Sequence, residues 1–175
     1  MFTIPNLGLS FINGFIFIII IAIIFTFITY LNNDLNHPLY KEINEAEYKL
    51  ITKEYITLYL HRFLHFSSTF SVLLLPYVFK PNFILYLMFV VYVFVAVIYW
   101  NLVGECPFSI NEKQLLNKKY VNGKTKIEPY LTLAIPDNLI FIFHYTYRVN
   151  LAIILFRLYK HFYLSKSQIP EAIRM

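Results

Sequence analysis

Apolar residues along this chain fall into four long runs separated by polar links, and run length is the more informative signal. The first run, Phe11–Leu31, reads FINGFIFIIIIAIIFTFITYL. As a helix it would extend about 32 Å, matching a hydrocarbon core of about 30 Å. The third, Phe83–Val103, is nearly as apolar and ends in Tyr99, Trp100 and Asn101, the aromatic signature of a membrane–water interface. The second, Ile56–Val78, carries His61, Arg62 and His65, then Ser67, Ser68, Thr69 and Ser71. The fourth, Leu139–Leu158, carries His144, Arg148, Asn150 and Arg157. A charge at the centre of a span adds about 2.5–3.5 kcal/mol to insertion. Helices two and four are therefore expected to turn their polar sides inward, away from lipid. A short link containing Lys80, Pro81 and Asn82 separates runs two and three, which predicts an antiparallel hairpin. The expected fold is an all-α integral membrane bundle of about four transmembrane helices with a short interfacial loop helix.

Residues 32–55 form a charged link. From Lys41 it reads KEINEAEYKLITKEY, with Ile43, Ala46 and Leu50 on one face and Glu45 and Lys49 at i,i+4. This pattern predicts an amphipathic helix lying along the membrane surface. The first run lacks a basic leader and a small-residue cleavage site, so it is expected to remain as an anchor. Three units follow: residues 1–55 as N-terminal anchor and link, 56–160 as a three-helix membrane core, and 161–175 as a C-terminal tail. Lys41, Lys49, Lys53, Lys113, Lys118, Lys119, Lys124 and Lys126 lie on the two long links. Lys80, Arg157, Lys160, Lys166 and Arg174 lie on the opposite side. The positive-inside rule then places both long links in the cytoplasm and both termini outside.

Composition sharpens this picture. Hydrophobic residues make up 58% of the 175 residues and charged residues 14%, against about 45–50% and about 25% in an average soluble domain. With 18 Phe and 15 Tyr but only 4 Gly, so small a chain has more apolar surface than a water-soluble core could bury. The formal charge of +5 is spread over the links, as suits anionic headgroups, and not gathered into a nucleic-acid footprint. The single cysteine, Cys106, excludes an intramolecular disulfide.

The densest polar motif follows the third run: Glu105-Cys106-Pro107-Phe108-Ser109-Ile110-Asn111-Glu112. Ser109 and Glu112 have the S-x-x-E spacing of a capping box, which predicts a helix over 110–119 with Leu115 and Leu116 towards the membrane. Pro107 stops the third helix from continuing. With His65-Phe66 upstream, Trp100 and Gly104 before it, and Ile127-Glu128-Pro129-Tyr130-Leu131 after it, the motif resembles a family of small multi-pass bacterial membrane proteins of unknown function. That family's signature is Cys-Pro-Leu-Thr-x-x-Glu, here Cys106-Pro107-Phe108-Ser109-Ile110-Asn111-Glu112. The resemblance covers about residues 56–135 and implies a fold but no reaction. Phe108 and Ser109 replace the usual Leu and Thr, and Pro129 stands where the family often has His.

Several constellations are candidates for chemistry. His61 and His65 stand at i,i+4, and Asp137, His144 and Arg148 share a face of the fourth run. One reading is a haem or metal site held by His61, His65 and His144 between helices two and four. Another is a polar seam in which Arg62, Asp137 and Arg148 satisfy the histidines and serines. A proton pathway through these groups is a third. Cys106, beside a helix start, is a candidate nucleophile, although no histidine is close to it in sequence. Glu112 and Glu128 are candidate acid–base carboxylates; the structural alternative has Glu112 as the cap partner of Ser109 and Glu128 paired to Lys124 or Lys126. The overall expectation is a non-enzymatic structural or accessory component of a larger membrane assembly. Its partners would be the lipid bilayer, other membrane subunits or a second copy, and no nucleic acid. The alternative is a haem-binding redox or proton-handling protein.

Overall fold

A computed structural model describes residues 7–32, 52–117, 120–121 and 133–167. The fold is all-α. Helix α1 spans Phe11–Leu31, α2 Thr52–Val78, α3 Phe83–Val103, α4 Pro107–Leu116 and α5 Asp137–Ser167. The bounds of α1 and α3 coincide with the apolar runs. The amphipathic helix expected after Lys41 lies outside the described residues. Helix α5 continues past Leu158 to Ser167, so the expected C-terminal tail begins inside it.

Helices α1, α2, α3 and α5 alternate in direction, and named contacts fix which ends meet. At one end Leu7 and Leu9 donate backbone N–H bonds to the carbonyls of Tyr77 (2.7 Å) and Val78 (2.9 Å), and Lys80 donates back to Leu9 (3.1 Å). The last carbonyls of a helix have no intrahelical donor, and here the segment leading into α1 supplies donors for the end of α2. At the same end Phe83 of α3 stacks on His161 of α5 at 5.6 Å. At the opposite end Asn32, just past α1, donates its side-chain amide to the Leu133 carbonyl before α5 (2.8 Å). Tyr30 of α1 meets Tyr59 of α2 there, with ring centroids 5.5 Å apart.

Small side chains let α1 lie close against α2. Gly14, Ile18 and Ala22 recur every four residues and form the buried stripe of α1 with Thr29. A Cβ on Gly14 would come within 2.5 Å of the Phe79 ring. The core then runs from Ile18 and Ala22 through Phe66 and Phe70 of α2 to Phe89 of α3 and Ile154 of α5. Hydroxyls inside the helices bond to their own backbone: Thr26 donates to the Ala22 carbonyl and Ser71 to the Ser67 carbonyl, both at 2.7 Å. This local bonding satisfies a polar group without needing water.

The outward faces are different. Helices α1 and α3 are each 21 residues long and apolar enough to cross a membrane. Ile16, Ile20, Ile23 and Phe27 of α1 are exposed, as are Ile84, Met88, Phe94 and Leu102 of α3.

Pro76 lies inside α2. It has no N–H to give to the Val72 carbonyl, and its ring disturbs the turn before it. Asn150 of α5, fully buried, supplies the missing donors: its amide bonds the carbonyls of Val72 (3.0 Å) and Leu73 (2.7 Å). Its own carbonyl oxygen accepts from the Tyr77 hydroxyl at 3.0 Å. Arg157, seven positions beyond Asn150, donates through Nη1 to the Pro76 carbonyl (2.6 Å) and to the Tyr86 hydroxyl oxygen (2.8 Å). A side-chain amide thus repairs a proline break and ties α5 to α2.

Two outcomes follow. Asn150→Leu should lower stability by about 0.5–2 kcal/mol, read as a shift in thermal unfolding of the detergent-solubilised protein. Gly14→Val should cost about 1–3 kcal/mol through overpacking against Phe79, and Phe79→Leu on that background should restore part of the loss.

Candidate functional site

The site is the corner where α3 ends and α4 begins, packed against the first half of α2. Gly104 has φ +83°, a left-handed conformation that glycine adopts without a Cβ penalty. It turns the chain out of α3. Cys106 then takes the extended N-cap position of α4, with Pro107 as its first residue, the position where a missing N–H costs nothing. The helix therefore starts three residues before the position predicted from the S-x-x-E spacing. Ser109 lies inside the first turn and caps nothing. Its buried hydroxyl has no hydrogen-bond partner among the described residues.

The buried face of α4 carries Ser109, Ile110, Glu112, Lys113 and Leu116. The expectation that Leu116 faces the membrane fails for a geometric reason. With Glu112 turned towards α2, the residue four positions on falls on the same side.

Glu112 is the partner of Arg62. Arg62 Nε donates to Glu112 Oε1 at 2.7 Å, and both side chains are 0% exposed. The guanidinium also lies over the Tyr59 ring, 5.4 Å from its centroid. Ion pairs this deeply buried are worth little relative to an apolar pair. Removing one member, however, costs about 3–5 kcal/mol because the other charge is left stranded. A second pair lies beside it. Lys113 Nζ donates to Glu105 Oε2 at 3.0 Å, and the Tyr120 hydroxyl donates to Glu105 Oε1 at 2.5 Å. Lys113 also reaches the Tyr120 oxygen at 3.3 Å. Two cations and two carboxylates thus cancel within the corner.

The histidines face the same corner. His61 Nε2 donates to the Phe108 carbonyl at 3.1 Å. His65 stacks on the Phe108 ring at 4.9 Å, and its Nε2 lies 3.5 Å from Cys106 Sγ. The missing histidine near Cys106 was 41 residues away in sequence, which no local motif could reveal. Along α2, Arg62 and His65 are one turn apart, and along α4 so are Cys106, Ser109 and Glu112. The two stripes run antiparallel, so thiol faces imidazole and carboxylate faces guanidinium, with Ser109 between them.

Other expected site residues are placed elsewhere. Arg148 is exposed and bonds through Nε to the Tyr147 hydroxyl at 3.1 Å. It does not share a seam with Arg62. Residues two apart on a helix point about 200° apart, so Asn150 turned inward forces Arg148 outward. Among the described residues the inward polar groups of α5 are Asn150 and Arg157, seven positions apart. The side chains of Asp137 and His144, and all of Glu128, lie outside the described residues. Among the described residues no three His, Cys, Asp or Glu side chains converge as a metal site would require.

Stability measurements on Arg62→Met, Glu112→Leu and the double variant should show each single change costing about 3–5 kcal/mol. The double variant should regain most of that loss. Additive losses would mean the pair is not coupled. Ser109→Ala should be silent or slightly stabilising, whereas a capping serine would lose about 1 kcal/mol.

No protein-family model, curated protein or solved structure matches this chain, so the functional reading rests on its own residues.

Proposed function

We propose that this chain is a four-span integral membrane protein with a structural or accessory role in a membrane assembly. In this reading α1, α2, α3 and α5 cross the bilayer and α4 tucks under the rim of the apolar slab. The observation that carries it is the contrast between outside and inside. The outward faces of α1 and α3 are continuous apolar surface, while the buried charges of the corner are matched one to one. Helix α2 has 27 residues and α5 has 31, lengths of about 40 and 46 Å at about 1.5 Å per residue. Both exceed a hydrocarbon core of about 30 Å. Arg62 lies about 24 Å along α2 from Val78, which places its ion pair near the edge of that core and not at its centre. A charge there, neutralised by Glu112, is compatible with insertion.

A second reading, thiol redox or proton handling, is favoured by one contact, Cys106 Sγ to His65 Nε2 at 3.5 Å. It differs from the haem reading, which has His61, His65 and His144 as ligands and whose His144 side chain lies outside the described residues.

The protein should stay in the membrane fraction after alkaline carbonate and be released only by detergent. On a Cys106→Ser background, Lys53→Cys and Lys80→Cys should show opposite accessibility to an impermeant thiol reagent in sealed vesicles. Equal accessibility would remove α2 as a span. For the second reading, rapid alkylation of wild-type Cys106 below about pH 7, under the free-thiol value of about 8.5, and its loss in His65→Gln would favour thiol chemistry. Slow alkylation, indifferent to His65, would leave the structural role.

A further inference from the structure

The two ends of the bundle are charged differently. Glu54, Glu105 and Glu112 all belong to the end that holds the start of α2, the end of α3 and α4. The opposite end holds the segment leading into α1, the Lys80–Asn82 hairpin, the start of α3 and the later part of α5. Among the described residues its charged side chains are Lys80, Arg157 and Lys160, and no described carboxylate pairs with any of them. Contacts place Arg157 and His161 beside the start of α3, and Lys80 and Lys160 adjoin them along the chain. Arg157 is bonded to Tyr86, one turn into α3, at 2.8 Å. His161, one turn beyond Arg157, stacks on Phe83, the first residue of α3, at 5.6 Å. Lys80 lies three residues before Phe83 and is exposed, while Lys160 is half-buried on the same turn of α5 as His161. Among the described residues Arg157 uses only Nη1, towards Pro76 and Tyr86, which leaves Nε and Nη2 as donors.

Apolar and aromatic surface adjoins these cations. Phe162 packs edge-on against Phe83 at 5.3 Å, and Ile84, Leu87, Phe162 and Tyr163 are exposed. A ligand matching this arrangement has a negative head and a hydrocarbon tail. We infer that the hairpin end of the bundle, at Lys80, Arg157, Lys160 and His161, binds the phosphate headgroup of an anionic phospholipid. The acyl chains would lie along the outer faces of α3 and α5. Arg157, held in place by Tyr86 and the Pro76 carbonyl, supplies a pre-positioned donor, and the lysines add attraction of shorter range in salt. This inference rests on the membrane reading above.

The test uses the full-length protein in detergent with an equimolar mixture of phosphatidylglycerol and phosphatidylcholine carrying identical acyl chains. Native mass spectrometry counts the lipids retained. Basic groups near an anionic surface contribute on the order of fivefold each. Wild type should therefore retain phosphatidylglycerol at least about fivefold over phosphatidylcholine. The double variant Lys80→Gln/Lys160→Gln, which leaves Arg157 and its bonds intact, should lose most of that preference. Lys53→Gln, at the other end, should keep it, and matching thermal unfolding curves would show all three proteins folded. Equal retention of the two lipids by wild type, or a preference unchanged in the double variant, would overturn the inference. So would displacement of the lipid by excess inorganic phosphate, which would indicate a site for the free anion. Release from membranes by alkaline carbonate would instead sink the membrane reading itself, so the two failures are distinguishable.

Discussion

The contact between Arg62 and Glu112 governs how the middle of this protein is arranged. Neither residue is stable where it lies without the other. A guanidinium without a counter-charge, on a helix otherwise suited to an apolar setting, would cost several kcal/mol to bury. A carboxylate alone on the inner face of α4 would cost a similar amount. Their pairing at 2.7 Å fixes the rotation of α4 about its own axis. Once Glu112 faces α2, Ser109, Lys113 and Leu116 must face inward as well, and Cys106 falls opposite His65. The Lys113–Glu105–Tyr120 group then becomes necessary, because the same rotation that buries Glu112 also buries Lys113. One ion pair thus imposes the second.

The other end of α2 obeys a related rule with neutral groups. Pro76 exposes backbone carbonyls in surroundings where water is scarce. The donors come from α5, through Asn150 at the break and Arg157 seven positions on. Backbone polar groups in an apolar setting have to find partners within the protein, so the kink dictates which face of α5 turns inward. That choice sends Arg148 outward and keeps it away from the corner. It also brings Arg157, Lys160 and His161 together with the start of α3, the spot where a lipid headgroup would be recognised.

Polarity is therefore distributed by neutralisation at one end and by accumulation at the other. Around Cys106 every buried cation has a carboxylate within hydrogen-bonding distance, an arrangement suited to holding a corner shut. Around the hairpin the cations lack one among the described residues, an arrangement suited to an external anion. The apolar faces of α1 and α3 lie between these ends, with the Gly14–Phe79 approach and the segment leading into α1 holding it to the rest.

By itself the sequence determined the lengths and limits of α1 and α3, the short turn at Lys80–Asn82 and the all-α class. These features depend on local properties: an unbroken apolar run satisfies its own backbone only as a helix, and a four-residue link allows only an antiparallel return. It also marked Cys106–Glu112 as the informative corner and placed ionisable groups in the second and fourth runs. It misread the start of α4, because S-x-x-E spacing cannot distinguish a serine that caps from one in the first turn. Pro107 with its fixed φ, and the left-handed Gly104 before it, decided that. Which charge meets which was left to the tertiary structure. Arg62 finds Glu112 across 50 residues and His65 finds Cys106 across 41, separations at which residue spacing carries no information about contact. Arg148 looked like part of a seam because it shares a stripe with Asp137 and His144. Asn150, on the opposite stripe, had the stronger claim to the interior, since only it could supply donors to the carbonyls that Pro76 left open.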